Sequence, residues 1–240
     1  MDTRVADQLR LRGGHLDFIG RNHIWIDDYD RVDSVQFAQF ALANALAHTA
    51  PGQLEVLVFD DALRGIAAPF QEVNSGGEKI LRHINDLQEL NETIKYLHEH
   101  VRSVLNVIQG RTESLLDFRQ QLSPKVEGFK LVVLSTIYDL LSDEIRDKLT
   151  ILLKAGPAAG VTFLIHSMKL NVNKEIVNLT QLCDVDERTV YGNDGAVRGQ
   201  FDPQSADDLI SVSRHIASAV ANAQVEPVAF REVQPLDSPW

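Results

Sequence analysis

Short apolar runs alternate with longer amphipathic segments along most of the chain. Four of these runs are too short for helices and are bounded by turn residues, a pattern typical of buried strands. They cover residues 22–27, 54–60, 129–134 and 161–165, and weaker runs at 181–185 and 189–191 predict two further short strands. The run at 129–134 has the strongest strand character and predicts a central parallel strand.

Helices are predicted between these strands. Asp33 lies where an N-cap belongs, with Gln36 as its capping-box partner. Residues 35–47 are apolar almost all round, as in a helix that is buried against a sheet. Residues 61–79 contain several glycines and a proline, and we predict a loop there.

The second half of the chain predicts further helices. From residue 80 to residue 122, apolar side chains recur at helical spacing, which predicts long helices or a helical insertion divided near Gly110. Ser142 is predicted to cap the next helix, and Gly156-Pro157 is predicted to end it. A final amphipathic helix is predicted over residues 206–223.

This alternation of strands and helices predicts an α/β fold with a mostly parallel central sheet and helices on both faces. It extends to about residue 224, which predicts a single domain over residues 1–224. Residues 225–240 contain three prolines and show no periodicity, which is the composition of a linker. Since the chain stops at Trp240 without a terminal cap, we expect it to continue toward a following domain.

Composition narrows the class of protein. Of 240 residues, 44% are hydrophobic, which suits a globular domain with a substantial core. No apolar run approaches the roughly 20 residues of a membrane span, and the N-terminus lacks the apolar segment of a secretory signal. Cys183 is the single cysteine, which excludes an intrachain disulfide, and we expect a cytoplasmic protein. A net charge of −11 disfavours direct nucleic-acid binding, which depends on clustered Lys and Arg.

The loop at residues 27–34 lies where a ligand would bind. In an open parallel sheet, that place is the carboxyl end of a strand beside a helix N-terminus. A phosphate-binding P-loop needs glycines for close backbone approach and a lysine for the phosphates. This loop has neither, and it contains the four aspartates Asp27, Asp28, Asp30 and Asp33. We expect these four carboxylates beside a helix N-terminus to repel a triphosphate.

The order of the predicted elements resembles that of the FtsK/SpoIIIE-type DNA translocases, within the HerA-like motor ATPases. Residues 131–141 are similar to the strand that carries the magnesium and base residues in that family, and residues 155–168 to the strand that ends in a sensor glutamine. The resemblance covers residues 22–168 and implies a RecA-like P-loop NTPase fold. Residues 225–240 also resemble the linker that leads into a following motor domain.

The same resemblance implies that the family's nucleotide site is degenerate in this chain. Each residue type that holds phosphate, binds magnesium or activates water is replaced. Asp27, Asp30 and Val32 stand at the glycine positions, Asp33 at the lysine position, Ser135 and Thr136 at the Walker B positions, Met168 at the sensor glutamine and Pro157 at an arginine position. We define the vestigial site as Asp27, Asp30, Asp33, Ser34, Ser135, Thr136 and Met168. Because these functions are lost together, we expect no catalytic residue, cofactor or metal in this chain.

Other motifs have a functional and a structural interpretation. Residues 74–79 resemble the signature loop of ABC-type ATPases, but without a P-loop a glycine turn is favoured. The acidic residues of 28–33 could chelate calcium or magnesium, but they lack the glycine and distal glutamate of a calcium loop. His98 and His100 lie on different sides of a helix, which is unsuitable for joint metal binding. His166 follows a strand without a nucleophile elbow and is interpreted as a packed side chain.

These observations favour a non-catalytic domain that serves as a structural, regulatory or substrate-docking module of an ATP-driven DNA translocase. Its partners would be an adjacent active motor domain or ring subunits, which bind ATP and magnesium, with a protein substrate or adaptor as a further partner. A type VII secretion-like ATPase is an alternative parent protein. An active NTPase that completes its site with a partner subunit is a second alternative, and a direct DNA-binding module is a third.

Overall fold

The computed structural model describes residues 4–28, 31–121, 128–168 and 174–225. An antiparallel hairpin of β1 (Gln8–Leu11) and β2 (Gly14–Asp17) comes first. The remaining strands are β3 (His23–Ile26), β4 (Leu54–Asp60), β5 (Leu81–Ile84), β6 (Phe129–Ser135), β7 (Val161–His166), β8 (Thr180–Asp186), β9 (Thr189–Gly192) and β10 (Val197–Gln200). The α-helices are α1 (Arg31–His48), α2 (Leu87–Ile108), α3 (Leu115–Gln121), α4 (Asp143–Ala155), α5 (Lys174–Leu179) and α6 (Ala206–Val225), and short 3-10 helices cover Ala68–Gly76, Tyr138–Leu140 and Pro157–Ala159.

The large sheet has the strand order β10-β9-β8-β3-β7-β6-β4-β5. The strands from β8 to β5 are parallel to one another, whereas β9 and β10 are antiparallel additions at one edge. The predicted α/β fold with a mostly parallel sheet is therefore confirmed.

Helices cover both faces of this sheet. Helices α1 and α4 both contact β7. Helix α1 also contacts α6, and helix α4 also contacts α2 and α5. Strand β3 is buried along its whole length, and Trp25 and Phe129 are fully buried between the layers. Burial on both faces explains why the central strands are apolar throughout rather than alternating.

The helical prediction for residues 80–122 is wrong at its start. Residues 81–84 form β5, an edge strand that pairs with β4. The Asn74 side chain accepts hydrogen bonds from the Ile80 and Leu81 N–H groups and donates to the Leu81 carbonyl. Such a four-residue strand depends on contacts with distant segments and carries no periodic signal of its own. The predicted division holds, since α2 ends before Gly110, which has a positive φ of 74°.

One predicted helix start differs from the structure. Helix α1 begins at Arg31, so Asp33 lies in its first turn rather than at the N-cap, where its carboxylate still opposes the helix dipole. The predicted end at Gly156-Pro157 is confirmed, because α4 ends at Ala155 with Gly156 as its C-cap. Gly156 is right-handed and leads into the 3-10 helix Pro157–Ala159, and the left-handed residue is Gly160. The Ser142 cap is confirmed, because its hydroxyl accepts a hydrogen bond from the Ile145 N–H at 3.4 Å.

The remaining differences are small elements that local pattern did not predict. These are β1, β2, β10, α5 and the 3-10 helix inside the predicted loop 61–79. Helix α6 extends to Val225, and the predicted linker beyond it, residues 226–240, lies outside the described residues. Among the helices that the structure describes, none is long and apolar enough to cross a membrane.

Candidate functional site

Strands β3, β7, β6 and β4 end side by side, and we call the surface formed by their following loops and the first turn of α1 the carboxyl edge. Backbone hydrogen bonds join these loops. The Ser167 N–H donates to the Ile26 carbonyl at 3.1 Å, the Thr136 N–H to the His166 carbonyl at 3.3 Å and the Ala62 N–H to the Ser135 carbonyl at 3.4 Å. The carboxyl edge is therefore a continuous scaffold rather than a set of independent loops.

A buried ion pair crosses this edge. The Arg64 guanidinium, from the loop after β4, pairs with the Asp28 carboxylate, from the loop after β3. The two side chains are only 18% and 5% exposed, respectively. Asp60 fixes the loop that carries Arg64, because its carboxylate accepts hydrogen bonds from the Arg64 N–H at 3.0 Å and from the Gly65 N–H at 2.7 Å.

His166 and Ser34 complete the buried cluster. The Ser34 hydroxyl oxygen lies 3.0 Å from His166 Nε2, and Asp28 Oδ1 lies 3.5 Å from the same nitrogen. All three residues are buried. Burial lowers the pKa of His166, and the nearby Asp28 carboxylate opposes this shift only in part. We expect a neutral imidazole at pH 7.

This Ser-His-Asp combination does not have the geometry of a nucleophilic triad. In a triad, the base contacts the nucleophile through one ring nitrogen and the carboxylate through the other. Here both contacts converge on His166 Nε2, and His166 Nδ1 makes no hydrogen bond within the described residues. Ser34 is also only 1% exposed, so a substrate could not reach its hydroxyl. The cluster is suited to packing and charge compensation.

The structure brings some residues of the vestigial site together at the carboxyl edge and not others. Ser34, Ser135 and Thr136 are buried together at the carboxyl edge, and Asp27 is buried beside them with its N–H donating to the Cys183 carbonyl at 2.9 Å. Met168 is 39% exposed at the same edge. Asp33 points elsewhere and accepts a weak hydrogen bond from the Arg188 N–H at 3.4 Å, while Asp30 lies outside the described residues.

Sequence reasoning missed two members of the cluster, Asp60 and Arg64. Arg64 compensates the charge of Asp28, one of the four aspartates of the loop 27–34. The acid at the end of β4 is a visible signal, since acids after several neighbouring strands meet at one edge of a parallel sheet. Arg64 has no local signal, because it lies in a loop whose path depends on the whole fold.

The glycine turn at residues 74–79 has a packing role. A Cβ atom on Gly76 would lie 2.4 Å from the Ala217 carbonyl oxygen of α6, so only glycine permits this approach. Of the two candidate ligand histidines, His98 is half-buried with its Nε2 3.2 Å from the Lys148 carbonyl oxygen, and His100 is buried. Within the described ranges, no three His, Cys, Asp or Glu side chains converge as metal ligands do.

No family model matches the sequence, and no curated protein matches it. Solved structures do match. EssC (ATPases 2 and 3) from Geobacillus thermodenitrificans has a TM-score of 0.64 and 12% identity, over 92% of this chain and 50% of that chain.

Two further structures support the same fold. EccC (ATPases 2 and 3) from Thermomonospora curvata, in complex with a signal sequence peptide, has a TM-score of 0.63 and 13% identity, over 87% of this chain and 44% of that chain. The pCW3 conjugation coupling protein TcpA with ATPγS has a TM-score of 0.55 and 13% identity, over 89% and 59%. The chain spans about half the length of these structures. It therefore has the fold of the EssC and EccC ATPase domains and of TcpA, as the resemblance to FtsK/SpoIIIE-type P-loop motors predicted.

Proposed function

We propose that this chain is a non-catalytic domain of an ATP-driven translocation motor, in which it serves as a structural, regulatory or substrate-docking module beside an active motor domain. The observation that carries the proposal is the buried Asp28–Arg64 pair and its contact with His166. In a P-loop protein, this edge of the sheet binds phosphates through backbone N–H groups and a lysine. In this chain, the Asp28 carboxylate and the Arg64 guanidinium with which it pairs lie in that region.

The residues at the carboxyl edge do not fit a nucleoside triphosphate with magnesium. The Arg64 guanidinium is engaged by Asp28, so a phosphate would have to compete with a buried carboxylate for it. The Ser34 hydroxyl is in contact with His166 and is almost completely buried. Ser135 and Thr136 supply no carboxylate to hold a cation or to activate water. ATP and magnesium are accordingly proposed for the parent protein's active domains and not for this chain.

Calorimetric titration with ATP and magnesium tests this proposal. We expect no saturable heat with the wild-type chain under conditions in which an active ATPase domain of the same fold binds. Magnesium-dependent binding at micromolar affinity would overturn the proposal.

A secretion-type parent is the second candidate beside a DNA translocase. EssC and EccC both match this fold, and that EccC structure contains a signal sequence peptide, which supports a parent that moves proteins. The net charge of −11 weighs against DNA contact by this chain itself. In a gel shift at low salt, we expect no tight DNA binding. Tight binding would instead favour the DNA-binding module.

An active site completed by a partner subunit makes a different prediction. ATP hydrolysis would then rise more steeply than linearly with protein concentration, whereas the non-catalytic domain hydrolyses no ATP at any concentration. The single domain over residues 1–224, the adjacent motor domain and the cytoplasmic location belong to the same proposal.

A further inference from the structure

Strand β5 is the last strand at one edge of the large sheet, so one side of its backbone faces away from β4. The Val56 N–H of β4 donates to the Ile80 carbonyl at 2.7 Å, which directs that carbonyl toward β4. Because backbone groups alternate in direction along a strand, those of Leu81 and His83 point away from β4. An edge with free groups of this kind is a template for the strand of another chain.

The Asn74 side chain occupies the outward hydrogen-bonding positions of Leu81. Its Oδ1 accepts a hydrogen bond from the Leu81 N–H at 2.9 Å, and its Nδ2 donates to the Leu81 carbonyl at 2.7 Å. Paired residues of two antiparallel strands exchange the same two hydrogen bonds. The Asn74 carboxamide therefore takes the place of a neighbouring strand at this position.

The 3-10 helix Ala68–Gly76, which carries Asn74, contacts β5, and we call it the covering helix. Gln71, one turn before Asn74, has its Nε2 3.0 Å from the Nε2 of His83. Two side chains of the covering helix thus contact the two residues of β5 whose backbone groups point outward. Natural sheets commonly protect an edge by covering it with a helix or loop.

Helix α6 fixes the position of the covering helix. The Arg214 guanidinium donates two hydrogen bonds to the Glu72 carboxylate, at 2.7 and 2.9 Å. Gly76 approaches the Ala217 carbonyl of α6 so closely that a Cβ atom would overlap it. The glycine turn at residues 74–79 therefore contributes both the side chain that bonds to the sheet edge and the glycine that permits contact with α6.

The opposite edge of the sheet is also covered by the same chain. The Arg12 N–H donates to the Gln200 carbonyl at 2.7 Å, and the Gln200 N–H donates to the Arg12 carbonyl at 3.0 Å. This pair joins the hairpin of β1 and β2 to β10. A Cβ atom on Gly199 would lie 2.6 Å from the Leu11 Cβ, so the hairpin packs directly on the edge strand. Both edge strands thus receive hydrogen bonds from other segments of the chain.

We propose that Asn74 and the covering helix keep the β5 edge closed, so that it cannot pair with the β5 strand of a second copy of this chain. An added strand would need the backbone groups of Leu81 that Asn74 occupies. The residues Leu81–Ile84 include no proline, which would block pairing by removing an outward N–H. Protection of this edge therefore depends on Asn74 and not on the strand itself.

A fluorescent peptide with the sequence of residues 78–85 is the probe, and it represents the β5 strand of a second copy without that copy's net charge of −11. Fluorescence anisotropy with the full chain should show at least about tenfold tighter binding to the Asn74→Ala variant than to the wild type. Equal binding to both proteins, or binding to neither, would overturn the proposal.

Asn85→Ala is the matched control for Asn74→Ala. The Asn85 carboxamide lies just beyond β5, but it donates to Glu89 Oε2 at 2.9 Å and not to the strand. Its removal should leave peptide binding at the wild-type level. A gain in Asn85→Ala equal to that in Asn74→Ala would contradict a specific role of Asn74.

A second substitution distinguishes an opened edge from a loosened fold. His83→Pro removes an outward N–H and so blocks an added strand without breaking a hydrogen bond to β4. In the Asn74→Ala background it should return peptide binding to the wild-type level, and binding that persists there contradicts the proposal. Circular dichroism checks the fold of each variant. If Asn74→Ala does not fold, Asn74→Asp, which keeps the acceptor for the Leu81 N–H and loses the donor to its carbonyl, should still bind the peptide more tightly than the wild type.

Discussion

Arg64 and Asp28 form a buried ion pair although their strands, β4 and β3, are separated in the sheet by β6 and β7. The pair therefore ties together the ends of four strands. Its two side chains are shielded from water to different degrees, with Asp28 almost fully buried. A buried carboxylate that loses its cation is left without compensation for its desolvation.

Removal of the Arg64 guanidinium alone should destabilise the protein more than removal of both charges of the Asp28–Arg64 pair. We expect Arg64→Met to lower the free energy of unfolding by about 3 kcal/mol, because it leaves Asp28 buried and unpaired. The double variant Asp28→Asn, Arg64→Met should recover much of this loss. Urea denaturation monitored by circular dichroism measures both values.

The exposed ion pair between Arg146 and Asp143 is the control for the Arg64 and Asp28 variants. Because the Asp143 side chain is 90% exposed, Arg146→Met should cost less than about 1 kcal/mol. Equal losses in Arg64→Met and Arg146→Met would contradict the importance of burial for the Asp28–Arg64 pair.

Removal of the Ser135 hydroxyl should not destabilise the protein. Its side chain is fully buried, and its hydroxyl oxygen makes no hydrogen bond within the described residues. Ser135→Ala should therefore leave stability unchanged or raise the free energy of unfolding by about 1 kcal/mol. Ser34→Ala is the matched control and should lower stability, because Ser34 is in contact with His166. The prediction fails if thermal unfolding shows Ser135→Ala to be the less stable of the two.

Stability should fall in mildly acidic solution through His23. Its Nδ1 accepts a hydrogen bond from the Phe163 N–H at 2.9 Å and its Nε2 lies 3.0 Å from the Leu153 carbonyl oxygen, so the neutral ring with its proton on Nε2 satisfies both contacts. Burial lowers the pKa of His23 from 6.5 to about 4. Between these values the unfolded chain binds a proton that the folded protein excludes.

The free energy of unfolding should consequently decrease as the pH falls from about 6.5 toward 4, by up to about 3 kcal/mol from His23 at 1.36 kcal/mol for each pKa unit. The lowered pKa of His166 acts in the same direction. Urea denaturation at pH 7.5, 6 and 5 measures the slope. His23→Gln should flatten it, whereas substitution of the exposed His83 by Gln should not, and identical slopes in the two variants would refute the assignment.

Cys183 should be unreactive in the folded protein. Burial raises the pKa of its thiol to about 12, and the thiolate is the reactive form. At pH 8 we expect labelling by a thiol reagent to be at least about a thousandfold slower in the native state than in urea. A Ser218→Cys variant, which adds an exposed thiol, should label one thiol rapidly and the other slowly. Rapid labelling of the wild-type chain would contradict the burial of Cys183.

The sequence predicted the central part of the fold because that part is encoded locally. Strands such as β3 and β6 are buried on both faces and must be apolar along their length, which makes them visible without any knowledge of their neighbours. The elements that were missed, among them β5 and α5, are short and owe their conformation to contacts with distant segments.

The candidate site likewise has features that the local sequence determines and features that depend on distant contacts. The sequence by itself determined that the loop after β3 lacks the glycines and lysine of a P-loop and that Ser34, Ser135 and Thr136 stand near the carboxyl ends of strands. Only the tertiary structure decided that Arg64 compensates Asp28 and that Ser34 meets His166, residues separated by 36 and 132 positions. Burial and propensity act on neighbouring residues, whereas a contact between charges depends on the order of strands in the sheet, which no local pattern contains.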